Sequence, residues 1–318
     1  MIETRGLTRE FGGRRVVEGL SFSIPDGGIM ALLGPNGAGK TTTVRMLACL
    51  LEPTGGEATV AGLSVRKDQE AIRRKVGVLT ESPGLYDRMT VERYLTFFAR
   101  LYGVPAHRIR ERLERLLKLF GLAEERNRPV GGFSKGMKQK VALARTLIHD
   151  PEVIFLDEPT SGLDPESTKV VRDYILELKE EKRRTILLCT HNLDEAERLS
   201  DQVGIISAGR LIRLGSTHEL QGGKDGFREF RLRIPNGSER FADLAGSVPG
   251  VLGAQLVTEN GVPDLQFSTN SPESTNARVL LRLLEQGANV VACQEVTRSL
   301  EEVYLEAMRS GETHPEEG

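Results

Sequence analysis

The chain has 318 residues, 28% of them charged and 39% hydrophobic, with a formal net charge of −2. That length allows two domains, and the balance is ordinary for a soluble globular protein. Near-neutral charge gives no reason to expect nucleic acid as a partner, no apolar run approaches the roughly 18 residues that cross a bilayer, and residues 1–5 carry no signal-peptide pattern. Three cysteines, Cys49, Cys189 and Cys293, are too few and too scattered for a disulfide or zinc framework. They read as small buried hydrophobes in a reducing compartment.

Residues 2–24 read as short strands around the polar turn Gly12-Gly13-Arg14-Arg15. Phe11, just before that turn, is either a core aromatic or a ring that stacks on a nucleobase. Arg14 and Arg15 read as solvated charges. Residues 28–33 form a short apolar run of buried-strand type, and residues 42–50 read as a helix. Between them stands Gly34-Pro35-Asn36-Gly37-Ala38-Gly39-Lys40-Thr41, the pattern G-x-x-x-x-G-K-T, followed by Thr42. Strand, glycine loop and helix are the context a phosphate-binding loop needs. The glycines let consecutive N–H groups turn inward around phosphate oxygens, and the helix N-terminus adds partial positive charge. Lys40 is expected at the β- and γ-phosphates and the Thr41 hydroxyl on Mg²⁺. The chain is therefore expected to bind a nucleoside triphosphate.

Residues 58–62 and 76–80 are strand candidates, and Glu81-Ser82-Pro83-Gly84 breaks the pattern after them. Amphipathic helices follow at residues 91–102 and 107–120, the second dense in Arg and Glu, so a helical lobe at about residues 85–150 is expected within the α/β core. Ser134 is a candidate N-cap for a helix running to about residue 149. A helix start led by Ser and Gly is a second anion-binding feature, although most capped helices bind nothing. Residues 153–157 make an apolar strand ending in Asp157, where a phosphate-loop ATPase places its Mg²⁺-associated carboxylate. Glu158 follows directly, where it could orient or deprotonate an attacking water.

Residues 160–165 make a turn, residues 166–182 a helix and residues 185–190 a buried strand with His191 at its C-terminal end. Ligands of open α/β sheets sit beyond the carboxyl ends of strands, which places His191 for a γ-phosphate contact. His107, His149, His218 and His314 lack that setting and read as surface or packing residues. A strand at residues 202–207 and the segment 210–215 close the first domain, at about residue 220.

Residues 221–226 read as a linker. Beyond it come a strand at 227–234, a helix at 239–247, a hairpin of 251–258 and 264–268 around Asn260-Gly261, a helix at 274–285 and a strand at 289–296. The order β-α-β-β-α-β is that of a ferredoxin-like module. A last helix at 300–308 carries Leu300, Val303, Tyr304, Leu305 and Met308 largely on one face, and residues 311–318 read as a disordered tail. No catalytic constellation stands in this region, so dimerisation or regulation is the expectation for it.

In this order the motifs resemble the nucleotide-binding subunit of an ATP-binding-cassette (ABC) transporter over about residues 2–220. The loop from Gly34 to Thr41 resembles Walker A, residues 133–137 the ABC signature, residues 153–158 Walker B with its glutamate, residues 161–164 the D-loop with Asp164, and His191 the switch histidine. Phe11 matches the adenine-stacking aromatic. In the signature, Ser134 and Gly136 carry over while Lys135 and Met137 are substitutions; Glu81 stands where the Q-loop glutamine usually does, and its carboxylate could meet Mg²⁺. Both variants are similar to those of prokaryotic exporters for drugs, antibiotics or sodium whose ATPase is a separate polypeptide. The resemblance implies an α/β phosphate-loop ATPase domain with a helical subdomain, followed by a small α+β domain. It implies ATP and Mg²⁺ as ligands, with Lys40, Glu158 and His191 in hydrolysis. Two copies should pair head to tail, each ATP lying between Walker A of one and Ser134 and Gly136 of the other. An integral-membrane permease is the implied partner, engaged from the cytoplasmic face of the membrane, with residues 81–91 carrying the motion. The other classes open are a soluble ABC ATPase of translation or DNA repair, and a small-molecule kinase. The first usually has two cassettes or long coiled coils, and the second needs an acceptor site.

Overall fold

The computed structural model describes residues 1–82, 84–180, 183–221, 228–259, 262–296 and 298–312. Most of the expected linker, Pro83, residues 181–182, Phe227, the turn Asn260-Gly261 and residues 313–318 of the expected tail lie outside them. The chain divides into two compact units, one of Met1–Gly215 with the last helix from Ala307, the other of Ser216–Glu306.

The first unit begins with β1 (Ile2–Phe11) and β2 (Arg14–Ile24), ten and eleven residues long, where short strands were expected. Burial alternates along β2, with Val17, Leu20, Phe22 and Ile24 inside, as a half-covered strand requires. Breaks in the pairing register let so long a hairpin coil rather than end. β3 (Ile29–Leu33) leaves for a second sheet and is buried at all five residues. After α1 (Lys40–Leu47) the chain returns through β4 (Gly55–Val60) and β5 (Leu63–Ser64), completing an antiparallel sheet in the order β2-β1-β4-β5.

Next come α2 (Gln69–Lys75) and β6 (Val76–Leu79), then the helical lobe with α3 (Val91–Leu101) and α4 (Ala106–Leu119). A short 3-10 turn at Val130–Gly132 leads into α5 (Lys135–Leu147). Ser134 caps that helix, its hydroxyl accepting the Met137 N–H at 3.2 Å. Then follow β7 (Val153–Asp157), α6 (Pro165–Glu180), β8 (Thr185–Thr190), α7 (Leu193–Leu199), β9 (Gln202–Ser207) and β10 (Arg210–Gly215). The second sheet has the order β10-β9-β3-β8-β7-β6, parallel except for β10. Its strands β3, β7 and β8 are buried throughout, the continuous apolar pattern of a parallel sheet covered on both faces.

The second unit holds α8 (Thr217–Gln221), β11 (Arg228–Arg233), α9 (Glu239–Gly246), β12 (Val251–Glu259), β13 (Val262–Thr269), α10 (Pro272–Glu285), β14 (Ala292–Val296) and the start of α11 (Leu300–Glu312). Its four strands pair antiparallel in the order β12-β13-β11-β14, which is the ferredoxin-like arrangement. Phe230, Leu232, Phe241, Leu265, Phe267, Val279 and Leu283 form its core. α11 runs on past residue 308 to Glu312, burying Leu300, Val303 and Ala307 while Leu305 is exposed. The cysteines are free, but only Cys189 is fully buried. Cys49 is half-buried, and Cys293 is exposed because β14 is an edge strand. No helix among the described residues is long and apolar enough to cross a membrane.

His149, read from sequence as a surface or packing residue, ties three elements of the first unit together. Its ring stacks on Tyr102 at 3.9 Å between centroids, and its Nε2 lies 3.0 Å from the Val76 carbonyl. Burial pushes its pKa down to about 4. The native state therefore keeps a neutral imidazole where the unfolded chain takes up a proton. Stability from this site is full above about pH 6.5 and falls away toward pH 4, by about 3 kcal/mol at most. His149→Phe, which keeps a stacking ring, should flatten the loss of urea stability across that interval while lowering it at pH 8. Equilibrium unfolding at a series of pH values checks this.

Candidate functional site

Because β3 lies between β8 and β9, the glycine loop leaves the sheet at the carboxyl ends of its central strands. Gly34 has no room for a side chain, since a Cβ there would stand 2.3 Å from the Ile206 carbonyl. Gly39 has φ +107 and turns the chain into α1. Lys40 is buried and folds back on the loop, its ammonium donating to the carbonyls of Gly34 at 2.6 Å and Pro35 at 3.0 Å. The Thr41 hydroxyl donates to Asp157 Oδ2 at 2.7 Å.

Asp157 closes β7 and is buried. Burial holds its carboxyl above the usual range, and the charges of Glu158 and Glu81 add to that against the Thr41 bond and Lys40. Glu158 sits just past the strand at φ +51, a left-handed backbone that few non-glycine residues adopt. Its N–H donates to the Cys189 carbonyl at 2.9 Å. Its Oε1 accepts the His191 N–H at 3.1 Å and lies 2.7 Å from His191 Nδ1. The residues behind His191 are braced as well: the Thr190 hydroxyl donates to buried Glu195 at 2.8 Å, and Asn192 caps α7 through the Glu195 N–H.

These groups surround a cleft of about 360 Å³. Asn36, Gly37, Gly39, Lys40, Thr41 and Thr42 of the loop and α1 line it together with Glu81, Asp157, Glu158 and His191. Gly34, Pro35 and Ala38 shape the loop without lining the cleft. Four of the residues singled out from sequence stand elsewhere. Phe11 is exposed, with the Arg9 guanidinium 4.4 Å over its ring, so it is not a core aromatic. Ser134 caps α5, and Gly136 packs against the D-loop segment, where a Cβ would meet the Gly162 carbonyl at 3.1 Å. Asp164 caps α6, accepting the Ser167 N–H at 2.8 Å and its hydroxyl at 2.6 Å; those bonds hold its carboxyl below the usual range.

Sequence reasoning overlooked three participants. Val16 and Ser161 line the cleft, and Gln139 of α5 donates from Nε2 to the carbonyls of Glu158 and Pro159, each at 3.1 Å. Gln139 is buried, a fact that no sequence pattern around it marks. Among the described residues no group of three or more His, Cys, Asp or Glu side chains is arranged to hold a metal on its own. The Thr41 hydroxyl and the Asp157 carboxylate, 2.7 Å apart, are oxygen donors of the kind a Mg²⁺ shared with phosphate oxygens would take.

The family model described as "ABC transporter" matches residues 17–161. The ABC transporter ATP-binding protein NatA of Bacillus subtilis (strain 168) is 45% identical over 69% of this chain and 91% of its own. The chain belongs to the ABC transporter ATP-binding family. Another relative, the Nod factor export ATP-binding protein I of Ralstonia nicotianae, is 40% identical over 91% of each chain, so the similarity extends into the second unit. Among solved structures, an ATP-binding subunit of an ABC transporter matches with TM-score 0.66 and 33% identity, over 70% of this chain and 92% of that one. A dimeric bacterial ABC transporter cassette matches with TM-score 0.62 and 25% identity, over 68% of this chain and 98% of that one. This ABC ATPase accordingly binds and hydrolyses ATP.

The buried Asp157 gives a test with a definite sign. A carboxyl raised above its unfolded value favours the nucleotide-free fold most at low pH, and that contribution is lost as pH rises through the raised value. At neutral pH the ionised group is a cost. Asp157→Asn should raise Tm of the nucleotide-free protein by about 2 °C while cancelling the further rise that ATP with Mg²⁺ produces in the parent. Scanning calorimetry in both states checks both halves.

Proposed function

We propose that this ABC ATPase works as a head-to-tail pair that drives export through a separate integral-membrane permease, docked at the cytoplasmic face of the membrane. One observation carries the reading: Glu158 and His191 meet beside the phosphate loop, whereas Ser134 and Gly136 lie outside that cleft. A second copy supplying its own Ser134 and Gly136 would complete the site. The similarity to a dimeric cassette supports the pairing, and similarity to a protein named for Nod factor export supports the direction. The exposed aromatics Tyr86, within residues 81–91, and Phe97, against its ring, offer a permease an apolar contact.

In this reading Lys40 exchanges its loop carbonyls for the β- and γ-phosphates, and the loop N–H groups take the remaining oxygens. Thr41 and Asp157 would hold Mg²⁺, with Glu81 at its border; bound there, the ion supplies charge neutralisation on the phosphate oxygens. Glu158 accepts the proton of the attacking water, and His191, fixed by its bond to Glu158, presents its other ring nitrogen to the γ-phosphate. Phe11 stacks on the base. Gln139 holds the carbonyls of Glu158 itself and of the next residue, Pro159, so a shift of α5 would be felt where the water is activated.

Mg²⁺-dependent ATP hydrolysis should rise faster than linearly with protein concentration, and Glu158→Gln should lose turnover by about a thousandfold while gaining a stable ATP-bound dimer in size-exclusion runs. Turnover strictly linear in enzyme and surviving the loss of Glu158 would overturn the reading. Gln139→Leu should lower kcat about tenfold with KM little changed. Steady-state kinetics separates that positioning role from a defect in nucleotide binding.

A further inference from the structure

The first unit has a second cleft of about 360 Å³, lined by α4, the end of α5, the turn before β7, and α6. It shares no residue with the nucleotide cleft. Its floor is apolar, made by the buried side chains of Leu116, Leu147, Ile154, Tyr174 and Leu178. Behind that floor the packing stays incomplete. A small void shares Leu147, Ile154, Tyr174 and Leu178 with the cleft and continues between Phe120, Leu143 and Leu156. The mouth is charged, carrying Arg108, Glu111, Arg112, Arg115 and Asp150.

The charges at that mouth do not cancel. Arg115 pairs with Glu177 at 2.8 Å, while Arg112 at 3.7 Å and Arg184 at 2.9 Å share the single carboxylate of Asp150. Counting Arg108 and Glu111, four guanidinium groups face three carboxylates among the described residues. Arg108 is exposed, and its guanidinium has no partner among the described residues. An open cleft of this volume, with an apolar floor and a charged rim, falls in the size range that small-molecule sites take.

We propose that this cleft is a second ligand site, for a small amphipathic monoanion with an aromatic or medium-chain alkyl body and a single carboxylate or sulfonate. The apolar body fills the floor, and the anion meets Arg108 with the Arg112 guanidinium beside it. Such a ligand spans the helical lobe and the core, touching α5 two turns beyond Gln139 and β7 three residues before Asp157, about 10 Å along the strand. The proposal does not rest on the export reading, because its test reads binding rather than turnover.

Anilinonaphthalene sulfonate serves as the fluorescent probe and decanoate as the competitor. The full-length protein should bind one equivalent of probe saturably, decanoate should displace it, and saturating ATP with Mg²⁺ should not. Arg108→Glu, a change on an exposed helix face, should weaken probe and decanoate alike by about tenfold or more with Tm held. The chain has no tryptophan, so Glu111→Trp places a single donor at the mouth. Energy transfer from it to the bound probe should be strong and should vanish on adding decanoate. Displacement by ATP, affinity unchanged in Arg108→Glu, or absent transfer in Glu111→Trp each overturns the proposal.

Discussion

A carboxylate buried at the end of a fully buried strand is costly, and the nucleotide cleft is arranged around that cost. Asp157 has one short bond, from the Thr41 hydroxyl, and two further acidic side chains for company. The Thr41 bond and the Lys40 charge offset this only in part, the ammonium being turned back onto the Gly34 and Pro35 carbonyls, so a ligand that carries cationic charge into the cleft would relieve it further. A cation arriving with the triphosphate, rather than the anionic triphosphate itself, is the group that would lower this cost.

α5 is the mechanical link between the parts. Its capped start carries Ser134 and Gly136, Gln139 reaches the backbone at Glu158 and Pro159, and Leu147 near its end closes the floor of the second cleft. Just beyond, His149 seats the helix against the start of β6 and the end of α3. Contacts along its thirteen residues tie this helix to the Glu158 backbone as well as to its neighbours.

What could be read from the sequence was what is local. The glycine loop, the apolar strand ending in Asp157 and the capped start at Ser134 are each contiguous, and their chemistry follows from residues in reach of one another. His191 was legible because it ends a continuous apolar strand, and the β-α-β-β-α-β order of the second unit followed from alternation and turn residues. Gln139 was not legible, since its partners lie 19 and 20 positions away across a helix–strand contact. Val16 and the second cleft have the same cause: they exist only once separate elements pack. The length of the β1–β2 hairpin was misjudged because register breaks interrupt the alternation that marks a strand. Cys293 was misjudged because composition does not say which strand lies at an edge.

The left-handed backbone at Glu158 sets what evolution can do there. A residue with a Cβ pays to occupy that region, and glycine does not. Drift toward glycine at this position would relax the chain and favour a sturdier but idle protein. With the role proposed above for Glu158, keeping glutamate requires selection on turnover itself, and a copy of this cassette released from that demand would be expected to lose its activity before it loses its fold.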